Sequence, residues 1–541
     1  MVKLLDDYEK NKAAFEKCGI KVPKFDQEET TKVGIENPQW VHFGGGNLFR
    51  SFHALIAQDL LNQGNLKGGV TVVETHGKQL IENVYHKYDN RSLSVILNND
   101  GSLTQELIAS VAQSIYYNYD NPARWVRVDD IFKKKSLQLA TFSITEKGYS
   151  LRQINGELTK EAQQDIENGP QETQTTIGLI TRLLYVRYQT GKLPIAMVST
   201  DNFSQNGKVL KEAVLTIARG WVDNQLVPTE FIDYLTDEHL VTFPWTMIDR
   251  ITPGPSESVA KELQKEGFED TQIVHNTAPF ANTEQVHYLV IEDAFPNGRP
   301  PFEKAGVMMV SRETVNDADQ MKVTACLNPL HTALAIFGCL LDYHSIYQEV
   351  QNQDVLNLIK NLGYGEDLPV VKDPKVINPK HFLDEFINER LMNKNIPDMP
   401  QRIATDTSQK LAVRYGVTLQ HYIDDPDKDP AKLEFIPLII AGWCRYLLGI
   451  DDNGNSFECS PDPLLNQLQT YLKPIKFGEV NDDIHQVLQQ ILSNQEIFGH
   501  DLYKIGLGNK IEQYFAKMIV GKGAVVKTIQ ATNKTKGYQI N

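Results

Sequence analysis

Residues 41–50, Val41-His42-Phe43-Gly44-Gly45-Gly46-Asn47-Leu48-Phe49-Arg50, decide how this chain begins to fold. The apolar run from Trp40 to Phe43 reads as a short strand that ends on three glycines. Leu48, Phe52, Leu55, Ile56 and Leu60 then recur at spacings of three and four, the period of an amphipathic helix. Gly68-Gly69 lead into Val70-Thr71-Val72-Val73, a β-branched run that reads as a second buried strand. Strand, glycine turn, helix, strand is the opening of a doubly wound nucleotide-binding sheet.

The glycines matter because backbone amides at a helix N-terminus can meet a pyrophosphate, and the helix dipole favours negative charge there. Gly44 and Gly46 fill the first two positions of GxGxxG, and Phe49 stands at the third. Gly44, Gly46, Asn47 and Arg50 are therefore the expected cofactor-binding residues of the turn, Arg50 as a further phosphate contact. Glu74 closes the second strand, where a carboxylate meets the adenosine ribose and favours NAD over NADP. The alternatives are a glycine turn without a ligand and a solvated strand end.

Outward from this unit, strands are expected at Leu93–Leu97, Leu137–Ile144, Ile195–Ser199 and Leu240–Phe243, with residues 1–37 polar and helical. The clearest punctuation is Phe295-Pro296-Asn297-Gly298-Arg299-Pro300-Pro301. Beyond about residue 315 helical periods dominate, among them Leu327–Leu341 and Leu433–Leu448. The expected fold class is α/β, with an N-terminal Rossmann-type dinucleotide-binding domain over 1–296 and a mostly α-helical substrate and catalytic domain over 297–541.

A length of 541 residues fits two such domains. The formal net charge of −15 argues against nucleic acid or an anionic membrane as the main partner. No run of about 18 apolar residues is evident, so no membrane span is expected. The five cysteines are scattered and lack CxxC spacing, which fits reduced thiols in the cytoplasm better than a disulfide framework or zinc site. No coiled-coil seam is visible; a monomer or weak dimer is expected.

The second chemical signal is Lys322 to His331, KVTACLNPLH. Oxidising a secondary alcohol with NAD needs a base for the hydroxyl proton and donors for the developing alkoxide. Lys322 is the candidate base, if burial or nearby positive charge lowers its proton affinity. Asn328 is a candidate donor, His331 a candidate for orienting substrate or lysine, and Asp319 a candidate relay to water. In a regular helix Asn328 and His331 share a face, but Lys322 points well away. A π-bulge, or a helix beginning only after Lys322, would bring it round. The competing reading is a surface lysine, a helix-capping asparagine and a core histidine.

Seven blocks, in order, carry a resemblance: FGGGNLFR (43–50), TFSITEKGY (141–149), STDNFSQNG (199–207), TMIDRITP (246–253), NGRPPFEKAG (297–306), MKVTACLNPLH (321–331) and RIATDTSQK (402–410). The chain resembles the polyol-specific long-chain dehydrogenases, the mannitol dehydrogenase family, most of all its mannonate oxidoreductase (fructuronate reductase) branch. The resemblance implies Lys322 as general base, Asn202 and Asn328 around the alkoxide, His331 on a substrate hydroxyl and Asp319 as relay carboxylate. It also implies Arg402 and Lys410 facing the sugar chain, Asp249 near the nicotinamide, NAD as cofactor, no metal, and an active site between the two domains. Three features depart from the family pattern. Five residues rather than four separate Lys322 from Asn328, Pro329 replaces a glycine, and Phe49 and Phe52 replace histidines. The expected activity is interconversion of D-mannonate and D-fructuronate. Tagaturonate reduction and mannitol or arabinitol oxidation are alternatives, and a non-catalytic NAD-binding sensor is a remote one. Outside the family pattern, Asp201-Asn202 can be read as a helix cap, Asp249-Arg250 as an ion pair, and Arg402 and Lys410 as solvated residues on adjoining faces of one helix.

Overall fold

The expected strand–turn–helix–strand opening forms, and it seeds a six-stranded sheet. The computed structural model describes every residue except Asn121, Pro122, Arg124, Ile154, Asn481, Asp482, Ile540 and Asn541. We number the strands of the largest sheet β1 (Trp40–Phe43), β2 (Val70–Glu74), β3 (Val111–Tyr116), β4 (Leu139–Phe142), β5 (Ile195–Ser199) and β6 (Val241–Thr242). Their order is β3-β2-β1-β4-β5-β6, and every neighbouring pair is parallel. The strand order reverses between β1 and β4, so the carboxyl ends of those strands flank the crevice where such sheets bind ligands.

Burial on both faces follows from parallel pairing with helical crossovers. Val41, Phe43, Ala140 and Phe142 pack on one face with Leu179, Leu183, Leu210 and Val214 of helices Thr176–Gln189 and Asn206–Asp223. Trp40, Val70, Val72 and Val198 pack on the other with Ala57, Leu60 and Leu61 of helix Ala54–Asn62. Two smaller sheets complete this part. One places the antiparallel pair Ser92–Leu97 and Leu103–Ile108 between Ile20–Lys21 and Phe280–Thr283. The other joins Thr246–Asp249, Tyr288–Glu292 and Met308–Val310.

The chain divides into two compact units, Met1–Asn316 and Asp317–Asn541. This differs from a break at 296/297. The Pro/Gly segment reads as a linker, but Phe302 just beyond it is buried edge-on against Trp40, with ring centroids 5.2 Å apart. Met308–Val310 then pairs in parallel with Tyr288–Glu292. Residues 1–37 are also not one helix: short helices Lys12–Lys17 and Gln27–Glu36 flank strand Ile20–Lys21.

From Asp317 onward the described residues form helices and turns without a named strand. Helix Phe435–Tyr446 is buried along its whole length, as befits one that is apolar all round. The helical run Arg312–Leu340 holds an 18-residue window apolar enough to span a membrane, where the sequence reading saw none. Of that window 83% is buried inside the protein, so its apolarity is spent on packing.

Candidate functional site

In the first unit the glycine turn leaves β1 at the reversal point. Gly44 has φ +99°, and a Cβ there would run into the Ser143 carbonyl just past β4. A Cβ on Gly45 would lie 2.8 Å from both the Tyr85 hydroxyl and Val72 Cγ1. Gly46 differs: nothing stands within 4 Å of its Cβ direction, and the helix opens at the next residue, Asn47. A tight turn, open space at Gly46 and a helix N-terminus fit a dinucleotide pyrophosphate.

Glu74, at the end of β2, accepts from the N–H groups of Gly45 and Gly77. Tyr85 donates its hydroxyl to the Gly45 carbonyl at 2.7 Å. Burial raises the Glu74 pKa, against the two backbone hydrogen bonds that lower it. Each carboxylate oxygen retains a second lone pair, so the ribose role fits while the same side chain braces the turn.

Arg50 is a correction. Its guanidinium is buried, donating through one terminal nitrogen to the Ala278 carbonyl at 2.7 Å and through the other to Asn47 Oδ1 at 2.8 Å. It is buried and anchors the helix inward, rather than reaching out from the turn toward a phosphate. The Asn47 carboxamide is drawn into the same anchor. Phe49, at the third motif position, stacks on His42 with ring centroids 4.5 Å apart.

His42 sits in a chain of hydrogen bonds whose direction is determined. Ser143 donates to the Gly44 carbonyl at 3.0 Å, so His42 Nε2 donates to Ser143 Oγ at 2.8 Å. Its Nδ1 then accepts from Thr141 Oγ1 at 2.6 Å, and Trp40 Nε1 donates to the same hydroxyl. The imidazole is therefore a neutral, single tautomer tied to the first carbonyl of the turn. His53 lies beside it, ring centroids 4.6 Å apart. Burial lowers the pKa of both, that of His53 to about 4.

Beyond β5, Asp201 is buried and does not cap a helix. Its carboxylate accepts from the N–H groups of Ile144 and Thr145, each at 2.9 Å, and from the Tyr149 hydroxyl at 2.6 Å. This holds Thr145 at φ +62°, a strained conformation for a β-branched residue. The blocks TFSITEKGY and STDNFSQNG are thus one structure. Helix Asn206–Asp223 has no side-chain cap. Instead the Asn206 carboxamide bonds the Asp201 carbonyl and the Thr246 hydroxyl, linking this loop to strand Thr246–Asp249. Asn202 is exposed on the loop, and Asp249 is buried at the end of that strand, opposite Tyr288. Arg250 donates to the Glu284 carbonyl.

In the second unit, the segment 322–331 adopts the geometry its spacing required. Helix Arg312–Met321 passes into a π-helical turn, Lys322–Cys326, closed by the Leu327 N–H on the Lys322 carbonyl at 3.1 Å. A π turn absorbs one extra residue, which accounts for five rather than four residues before Asn328. Leu327 (φ −136°, ψ −65°) breaks the run, and a new helix starts at Asn328 with Pro329 in its first turn, where a missing N–H costs nothing. Thr418 and Tyr415 donate to the Thr324 and Pro329 carbonyls, clamping the irregular backbone.

Lys322 is 2% exposed, with Nζ 3.7 Å from the buried Asp319 carboxylate. Asn328 is half-buried on the same helix face as His331. His331 Nε2 lies 3.9 Å from Asp398 Oδ2, and its ring meets Phe386 edge-on. Asp398 also pairs with Arg402, whose side chain is 71% exposed. Arg402 and Lys410 are not on one helix: Arg402 lies in the short helix Pro400–Ile403, and a left-handed residue, Asp406, intervenes before Lys410. Lys410 Nζ donates to the Thr405 carbonyl at 2.5 Å, and Arg414 donates to the Thr332 hydroxyl. Asp398 and Arg414 were missed in the sequence reading. The i,i+4 spacing of Asp398 and Arg402 was the available signal for the first; Arg414 reaches Thr332 only through the tertiary fold.

Comparison with known proteins covers nearly the whole chain. Residues 38–304 match the family description "Mannitol dehydrogenase Rossmann domain", and residues 315–519 match "Mannitol dehydrogenase C-terminal domain". The chain is 49% identical over 529 residues to the D-mannonate oxidoreductase of Thermotoga maritima, covering 96% of this chain and 97% of that one. It is 27% identical over 461 residues to the polyol:NADP oxidoreductase of Gluconobacter oxydans, covering 84% and 88%. The fold superposes on Pseudomonas fluorescens mannitol 2-dehydrogenase, solved with NAD and D-mannitol, with a TM-score of 0.70 at 24% identity over 96% and 97% of the two chains.

Proposed function

The chain belongs to the mannitol dehydrogenase family, and from that premise we propose that it interconverts D-mannonate and D-fructuronate, with Lys322 as the general base. It is an NAD-dependent oxidoreductase acting on sugar acids or polyols. The substrate pair is our reading. It is supported by the near-full-length likeness to a D-mannonate oxidoreductase and by the cationic residues of the second unit.

One observation carries the chemistry: a buried amine, Lys322, set at a π turn beside the buried Asp319. When bound, NAD supplies the acceptor for the hydride that leaves the carbinol carbon. In its deprotonated form the Lys322 amine takes the hydroxyl proton as the C–O bond becomes a carbonyl, and Asp319 passes that proton onward. Asn328 donates an N–H to the oxygen as charge develops, with Asn202 proposed for the same task. His331, steadied by Asp398, holds a neighbouring hydroxyl. In reduction the protonated amine returns its proton to the new alkoxide. Glu74 at the end of β2 supports NAD over NADP, because a carboxylate beside the ribose accepts from its hydroxyls and repels a 2′-phosphate.

Steady-state assays with fructuronate, tagaturonate and fructose, each with NADH and NADPH, test the reading. The expected result is the highest kcat/KM for fructuronate with NADH. Highest efficiency on fructose would overturn the sugar-acid choice, and highest efficiency on tagaturonate would replace the substrate pair.

A further inference from the structure

Cations at the N-terminal end of a helix cost stability, because the unpaired N–H groups there already carry partial positive charge. The helical run 411–424 nevertheless has Lys410 immediately before it and Arg414 in its first turn. Both side chains are half-buried. Among the described residues no carboxylate lies within ion-pair distance of either charge. Asp406 and Asp462 act on Lys410 only at longer range, and Asp462 is already committed to the Ser408 N–H and hydroxyl. The neighbour that acts on Arg414 is Tyr415, whose hydroxyl is spent on the Pro329 carbonyl. Burial, and repulsion by Arg414 and Arg402, lowers the Lys410 pKa; burial lowers that of Arg414 to about 10.

Arg414 uses one terminal nitrogen on the Thr332 hydroxyl. Its other nitrogens have no hydrogen-bond partner among the described residues, yet they are not sealed from solvent. A guanidinium with two such N–H donors is shaped for a carboxylate. Its anchor, Thr332, lies one turn beyond Asn328 on the same face of helix Asn328–Leu340 and donates to the Asn328 carbonyl at 3.0 Å, so the cation is tied to the turn that carries the asparagine proposed to donate to the alkoxide. Arg402, by contrast, already has a carboxylate in Asp398 and a mostly exposed side chain.

Two half-buried positive charges without a counter-ion call for an anion. We propose that Arg414 and Lys410 form the subsite for the substrate's carboxylate, and that Arg414 is the residue by which this enzyme separates sugar acids from neutral polyols and ketoses. This rests on the family reading above and adds to it the group that recognises the acid.

Two measurements test it, each on Arg414→Met, Arg414→Lys and the unmodified chain. The first is kcat/KM for fructuronate and for fructose with NADH. Arg414→Met is expected to lose roughly 100-fold on fructuronate and no more than about 3-fold on fructose, with Arg414→Lys between it and the unmodified enzyme. Equal losses on both substrates, or none on fructuronate, would overturn the proposal. The second is calorimetric binding of D-gluconate against D-sorbitol, which needs no turnover. Tighter binding of gluconate that vanishes in Arg414→Met supports the subsite; equal affinities in the unmodified chain contradict it. Should that chain fail to reduce fructuronate yet bind gluconate through Arg414, the substrate pair falls and the subsite stands.

Discussion

Acidification is expected to weaken the first unit through a buried imidazole, and the size of the effect follows from the hydrogen bonds around it. Thr200 donates its hydroxyl proton to the Phe142 carbonyl, so His53 Nε2 is the donor in the 2.8 Å contact with Thr200 Oγ1. His53 Nδ1 is buried without a hydrogen bond among the described residues, and the Leu48 backbone offsets the cost of a second proton only in part. Burial therefore depresses its pKa to about 4, from 6.5. A depressed base stabilises the fold fully above its unfolded pKa, and that contribution is lost as pH falls toward the folded value, because the unfolded chain binds the proton first. At 1.36 kcal/mol per pKa unit, the gap corresponds to about 3 kcal/mol lost between roughly pH 7 and pH 4. His42, depressed by burial and by His53, acts in the same direction. Urea unfolding followed by tryptophan emission across this range would compare the unmodified chain with His53→Gln, whose amide N–H can replace Nε2 without titrating. The stability difference between the two should shift by about 3 kcal/mol toward the variant as the pH falls. A difference that stays constant would refute the assignment of a neutral, proton-refusing His53.

Other outcomes follow from single contacts. Asp201→Ala strands two backbone N–H groups and leaves the Tyr149 hydroxyl with only Ser199. At about 1–3 kcal/mol for each unsatisfied donor, urea unfolding should show a loss of about 4 kcal/mol, and less than about 1 would mean the carboxylate is not the clasp described. Glu74→Ala removes the acceptor for Gly45 and Gly77; KM for NADH should rise at least tenfold or so while kcat changes little, and an unchanged KM would separate Glu74 from the cofactor. Deleting Val323 takes out the residue that the π turn absorbs and leaves a regular helix with four residues between Lys322 and Asn328, the family's spacing. Turnover should stay within about tenfold of the unmodified chain with circular dichroism unchanged, whereas a loss of about 1,000-fold would show that the π turn does not simply absorb the extra residue.

Much of the fold could be read from local pattern, and the failures have physical causes. β1, β2, β4, β5 and β6 lie on continuous apolar runs. β3 went unrecognised because Gln113 and Ser114 interrupt it. Those polar groups are tolerated because Gln113 donates to Thr71 on β2 and Ser114 donates to Asn90. The Pro/Gly segment at 295–301 looked like a boundary because punctuation is a local signal, while the packing of Phe302 on Trp40 is not. Arg50 was placed on a phosphate for the same reason: its partner, Ala278, lies 228 residues away in the chain. The mismatch in spacing between Lys322 and Asn328 was legible as a demand for a π-bulge or for a helix beginning only after Lys322, and the structure has a π turn at Lys322–Cys326 with a new helix from Asn328. Asp398 and Arg414 carried no family-like spacing in the reading, and only the fold brings them to His331 and Thr332.

The claim on which the mechanism depends is that the Lys322 amine moves the proton at the reacting oxygen. Its most direct test is the single-turnover rate of Lys322→Met with fructuronate, measured beside the Kd for NADH. The account predicts a rate lower by roughly 1,000-fold or more, with the Kd unchanged; a rate within about tenfold of the unmodified enzyme would contradict it.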